Sequence, residues 1–129
     1  MEMGPTNTAQ ARRKTKVVQY LSVKLSDGKI LVSTAVQTQN GVRVADVAWR
    51  SDAAIRNVGY PSPLPLAPEL CVEVLSSSNT DTEMSAKRGA YFAAGTQEVW
   101  LVADDSVITV CTRNGIQPAS GIVGEVPAL

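Results

Sequence analysis

Residues 69–103 read ELCVEVLSSSNTDTEMSAKRGAYFAAGTQEVWLVA, and three elements follow one another in them. Cys71, Val72, Val74 and Leu75 form an apolar run, the pattern of a strand covered on both faces. SSSNT is the turn after it. Residues 80–94 predict a helix that opens on a Thr-x-x-Glu capping box, Thr80 with Glu83, and has Asp81 in its first turn. Gly95 closes it, and EVWLVA, 98–103, is a second apolar strand. A strand, a helix and a strand in this order predict a right-handed parallel crossover.

Working outward, residues 9–26 predict a helix with Val17, Val18, Leu21 and Leu25 at helical spacing, ended by Asp27-Gly28. Residues 29–37 predict a strand with Ile30, Val32, Thr34 and Val36 on one face. Gln39-Asn40-Gly41 is a turn, and residues 42–49 predict the returning strand. Residues 50–68 read as irregular, ending in PSPLPLAP (61–68), a stiff connector that cannot be a central strand. Asp104-Asp105 is a turn and 106–112 a last strand. The expected division is a loose tail at 1–8, one domain at 9–112 and an irregular tail at 113–129. The fold class is α/β, a mixed sheet flanked by helices.

Composition narrows the chemistry. The chain has 129 residues, room for one domain, with 12 basic and 12 acidic residues and no formal net charge. That excludes a strongly basic nucleic-acid binder but not a local basic patch. The two cysteines, Cys71 and Cys111, form no CxxC pair, so a structural zinc site is not expected. No apolar run approaches a membrane span, and the polar start lacks a signal-peptide core; the expectation is a cytoplasmic protein with no membrane contact. There is no histidine. Ser-His-Asp and Cys-His systems and most zinc hydrolases are therefore excluded. An active site must use carboxylates, lysine, arginine, hydroxyls or a hard metal ion.

Glu73 is misplaced for a buried strand, because a buried carboxylate without a partner costs several kcal/mol. Asp46 is the second such acid, inside VRVADVAW on the face of Val42, Val44 and Ala48. On neighbouring strands the two would converge, and a hard cation such as Mg2+ between them would relieve their repulsion. Alternatively each faces solvent or caps a nearby amide. Lys87, one turn from Glu83 and from Tyr91, either pairs with Glu83 at the surface or extends its stem toward the acids. In a third reading Glu73 and Lys87 are simply a buried ion pair. Two acids, a lysine and a metal are what phosphodiester hydrolysis requires. Arg12, Arg13, Lys14 and Lys16 form a basic cluster that is either a solvated face or a phosphate-contacting patch. Arg50 and Arg56 are further phosphate candidates, and Trp49 a candidate base-stacking residue.

The order Asp46, Glu73, Lys87, Tyr91, Gly95, Glu98, Trp100, Asp104 resembles the Uma-type restriction-endonuclease family, a branch of the PD-(D/E)XK nuclease superfamily. The likeness runs over about residues 29–112. It implies a restriction-endonuclease-like core, shortened at the N-terminus. It implies DNA as substrate, Mg2+ or Mn2+ as cofactor, Asp46 and Glu73 as metal ligands and the Val74 carbonyl as a further ligand. The superfamily lysine two positions after the second acid is Leu75 here, which makes Lys87 the migrated lysine. The usual prolines are replaced by Ala45 and Ser77, and Glu2 is the single acid upstream of the first helix. A homodimer partner is expected to cover exposed sheet edge. The rival expectation is a catalytically degenerate module that binds nucleic acid or a protein partner.

Overall fold

A computed structural model describes residues 8–129. Most of the expected tail at 1–8, Glu2 included, lies outside the described residues, and Thr8 already belongs to the first helix. The elements are α1 (Thr8–Lys24), β1 (Lys29–Thr38), β2 (Gly41–Arg50), α2 (Asp52–Val58), β3 (Leu70–Val74), α3 (Asp81–Ala93), β4 (Glu98–Val102), β5 (Ile108–Thr112) and β6 (Gly115–Gln117). Among the described residues they form one sheet in the order β1-β2-β3-β4-β5-β6. Only β3 and β4 are parallel, joined through α3; the other neighbours are antiparallel. The architecture is the mixed, helix-flanked α/β sheet expected from the sequence.

The two faces of the sheet are buried by different helices. Val17 and Leu21 of α1 pack with Val47, Trp49, Leu70, Val72, Val74, Trp100 and Val102. Tyr91 of α3 packs with Ala45, Ala48, Cys71, Val99 and Cys111 on the other face. Every residue of β3 is buried, Glu73 included, as expected for an apolar strand covered on both faces. The capping box forms: Thr80 Oγ1 accepts from the Glu83 amide, and Glu83 Oε1 accepts from the Thr80 amide. Both cysteines are free and buried. No described helix is long and apolar enough to cross a membrane.

The loops depart from expectation. Residues 50–68 contain α2, a short helix whose Ser51 hydroxyl accepts from the Ala54 amide at its N-cap. The segment from 113 onward contains β6. Its remaining part is pinned by Glu98, a buried carboxylate that accepts from Trp100 Nε1 (3.0 Å), Ser120 Oγ (2.6 Å) and the Gly121 amide (2.6 Å). Ile122, Val123, Val126 and Leu129 then pack against the α1 side of the core. The proline-rich connector meets the outer edge of β1, where the Gln37 amide donates to the Leu64 carbonyl at 2.8 Å. That contact covers part of a sheet edge which would otherwise be open.

The strand β1 does not keep one face throughout. Ser33 takes φ 53, and the pairing with β2 skips from Val32↔Val47 to Thr34↔Ala45. Ile30 packs on the α1 side and Val36 on the α3 side. Val32 is exposed. The expected shared face of Ile30, Val32, Thr34 and Val36 is therefore broken at Ser33, because one left-handed residue interrupts the alternation. Its partner strand breaks at the same level: Ala45 and Ala48 both pack on the α3 side, with Val47 on the other. Asp46 is the residue at that break.

Candidate active site

The ladder between β2 and β3 runs for three pairs, Trp49↔Leu70, Ala48↔Cys71 and Val47↔Val72, and then stops. Asp46 and Glu73 come next. In place of a backbone ladder, the Asp46 amide donates to Glu73 Oε2 at 3.3 Å and the Val74 amide donates to Asp46 Oδ2 at 2.8 Å. Each carboxylate thus accepts an amide where strand pairing ends. Amide donors suit carboxylates, so the exchange offsets part of the cost of holding two acids together. The strained Ser33 lies beside them on β1; a non-glycine residue at positive φ costs about 1–3 kcal/mol and is retained where neighbouring structure demands it.

Glu73 is 4% exposed. Lys87 reaches it from α3, forming an ion pair with Oε1, and also donates to the Val44 carbonyl at 2.9 Å. Tyr91, one turn further along α3, points its hydroxyl at Oε2, 3.4 Å away. Burial pushes the Glu73 carboxyl up to about 7; Lys87 pulls against this, and Asp46 adds to the rise. The Tyr91 hydroxyl is raised as well, by burial first and then by the charge of Glu73. The position of the lysine follows from helical geometry: Lys87 and Tyr91 are four residues apart and share the face turned to the sheet. Glu83 is engaged at the N-cap, so the surface Glu83–Lys87 pairing is not the arrangement adopted.

The basic cluster of α1 divides. The Lys14 ammonium lies 3.5 Å from Asp46 Oδ1, and Arg13 Nη2 donates to the Leu75 carbonyl at 3.1 Å, at the end of β3. These two residues border the acids. Arg12 and Lys16 instead line a shallow hollow with Thr8, Ala11, Thr15 and Gln19. The Lys14–Asp46 pairing was not foreseen; the cluster was visible in the sequence, but which of its members turned inward depended on the placement of α1 over the sheet.

Two nucleic-acid candidates lie in the interior of the fold. Arg50 is buried, and its guanidinium donates to the Gly59 carbonyl at 2.6 Å and the Ala54 carbonyl at 3.4 Å. It ties the end of β2 to α2 and to the residue that follows it, and is buried there rather than open to solvent. Trp49 is a core residue whose Nε1 donates to the Asp27 carbonyl. Arg56 of α2 remains exposed.

The donors gathered here are oxygen atoms. Among the described residues, no group of three or more histidine, cysteine, aspartate or glutamate side chains is assembled. Two carboxylates suit a hard divalent cation that retains several waters, and do not suit a structural zinc ion with four protein ligands. Asp46, with 24% of its side chain exposed, gives that pair access to solvent. The ionised form of Glu73 is only partly compensated by its surroundings, and further positive charge beside it would favour that form.

A family model described as Uma2, putative restriction endonuclease, matches residues 1–122. Among solved structures, a putative nuclease belonging to DUF820 from Anabaena variabilis superposes with a TM-score of 0.76 at 14% identity, covering 91% of this chain and 70% of that one. At that identity the likeness establishes the fold. No curated protein matches the chain.

Proposed function

The chain belongs to the Uma2 family of putative restriction endonucleases, and on that premise we propose that it is a divalent-metal-dependent endonuclease hydrolysing phosphodiester bonds in DNA. One observation carries the reading. Where the β2–β3 ladder stops, Asp46 and Glu73 accept amides in its place, and Lys87 joins them from the next helix. A neutral core would be cheaper, since replacing a buried ion pair by apolar residues is often stabilising. The arrangement is retained at a cost in stability, as functional sites commonly are.

In this proposal Asp46, Glu73 and the Val74 carbonyl hold Mg2+ or Mn2+. The bound cation supplies an acidified water and offsets phosphate charge. Lys87 partly neutralises Glu73 and offers N–H donors to charge developing on the phosphoryl oxygens. Tyr91 holds the Glu73 carboxylate in one orientation. Arg13 and Lys14, with Arg12 and Lys16 further along α1, contact the backbone phosphates. Homodimerisation belongs to the same reading, with the β1–β2 hairpin as the surface to test, since Val32, Val42 and Val44 are exposed there. A cytoplasmic setting is also part of it, and the two free cysteines fit a reducing compartment.

The test is cleavage of supercoiled plasmid with Mg2+ or Mn2+, wild type beside Asp46→Ala and Glu73→Ala. Nicking or linearisation by the wild type alone supports the proposal. Equal cleavage by all three proteins assigns the activity to a contaminant and removes the site. Failure of the wild type to cleave, with DNA binding retained, replaces the proposal with a degenerate binding module.

A further inference from the structure

The two acids have different counter-ions. Glu73 is paired with Lys87, which is also anchored on the Val44 carbonyl. Asp46 is paired with Lys14, at 3.5 Å. That separation exceeds a good N–H···O hydrogen bond, and the two side chains are 20% and 24% exposed. Ion pairs of this kind contribute little to stability and exchange readily. The ammonium lies against Oδ1, while Oδ2 is occupied by the Val74 amide. A cation approaching Asp46 from solvent therefore meets Lys14.

We propose that Lys14 is a displaceable counter-ion: it holds the Asp46 carboxylate until a divalent cation arrives, and then turns to the phosphate backbone of the nucleic acid. The inference rests on the metal-dependent reading above and adds a coupling to it. Without nucleic acid, Lys14 competes with the cation for Asp46 and weakens its binding. With nucleic acid present, a phosphate takes up the released ammonium beside Arg13, whose guanidinium is already fixed at the end of β3. Cation and nucleic acid then favour each other's binding, and by linkage the effect is reciprocal.

The measurement is Mn2+ binding by electron paramagnetic resonance of the free ion, without nucleic acid, for the wild type, Lys14→Gln, Lys14→Arg and Asp46→Asn. Removing the competing charge is expected to tighten Mn2+ binding by about two- to fivefold in Lys14→Gln, the size of a partly exposed ion pair. Lys14→Arg, which keeps the charge, should stay near wild type. A second measurement is anisotropy of a labelled duplex in Ca2+. There Lys14→Gln should bind more weakly, with the salt dependence reduced by about one phosphate contact. Unchanged or weaker Mn2+ binding in Lys14→Gln overturns the inference while leaving the nuclease proposal standing. If the wild type binds Mn2+ no better than Asp46→Asn, both fall together.

Discussion

Replacing Glu73 by glutamine removes a charge and keeps the shape of the protonated side chain. In the fold, the Glu73 carboxyl is pushed up to about 7 from an ordinary value of 4.5. Between these two values the folded chain keeps a proton that the unfolded chain has lost, so stability falls as pH rises through that window. Glutamine has no proton to lose and escapes the decline. The difference between 4.5 and 7 corresponds to about 3 kcal/mol once pH is well above 7. At about pH 5 the same comparison yields under about 1 kcal/mol, because Glu73 is still protonated in the folded state. For a chain of this length, 3 kcal/mol moves the melting temperature by roughly 10 °C. Thermal melts of metal-free wild type and Glu73→Gln, at about pH 5 and about pH 8.5, read this directly. The variant should be clearly more stable at the higher pH and nearly equal at the lower one. A gap that is the same at both pH values, or a variant less stable at the higher pH, refutes the reasoning. Either result would mean that Lys87 and the Asp46 amide fully compensate the buried charge.

Three further outcomes are expected. Lys87→Met leaves Glu73 without its ammonium, so the carboxyl rises further; the acidic limb of the cleavage–pH profile should move to higher pH, with cleavage reduced on the order of a hundredfold. Glu98→Ala strands Trp100 Nε1, the Ser120 hydroxyl and the Gly121 amide; urea unfolding should show a loss of about 2–4 kcal/mol, and hydrogen exchange should rise over residues 120–129. Gly28→Ala would put a Cβ 2.2 Å from the Arg50 carbonyl oxygen at φ +75, and should cost about 2–4 kcal/mol in the same assay.

The crossover β3-α3-β4 was legible because each element carries its own local signal. A largely apolar run, a capping box and a second apolar run admit few arrangements, and chirality selects among them. Glu73 and Asp46 were legible for the opposite reason: a charge inside an apolar strand contradicts its neighbours, and such contradictions gather at functional sites. The helix α2 was missed because seven residues offer little periodicity beyond the Ser51 cap. The strand β6 was missed because three residues owe their conformation to the hairpin with β5.

Arg50 and Lys14 mark where sequence reasoning ended. Both were read as basic candidates for phosphate contact, Lys14 within the α1 cluster and Arg50 at the end of β2, and neither local pattern indicates which partner each finds. The return of α2 across the end of β2 buries Arg50, and the docking of Val17 and Leu21 brings Lys14 to Asp46. The alternation of β1 likewise fails at Ser33, a residue with no local reason to take φ 53. Secondary structure, the two misplaced acids and the histidine-free chemistry follow from residue types at short range, where propensity and burial act on neighbours in the chain. The pairing of charges, the stopped ladder and the choice of which basic residues face the acids arise from contacts between residues far apart in the chain, which local pattern does not encode.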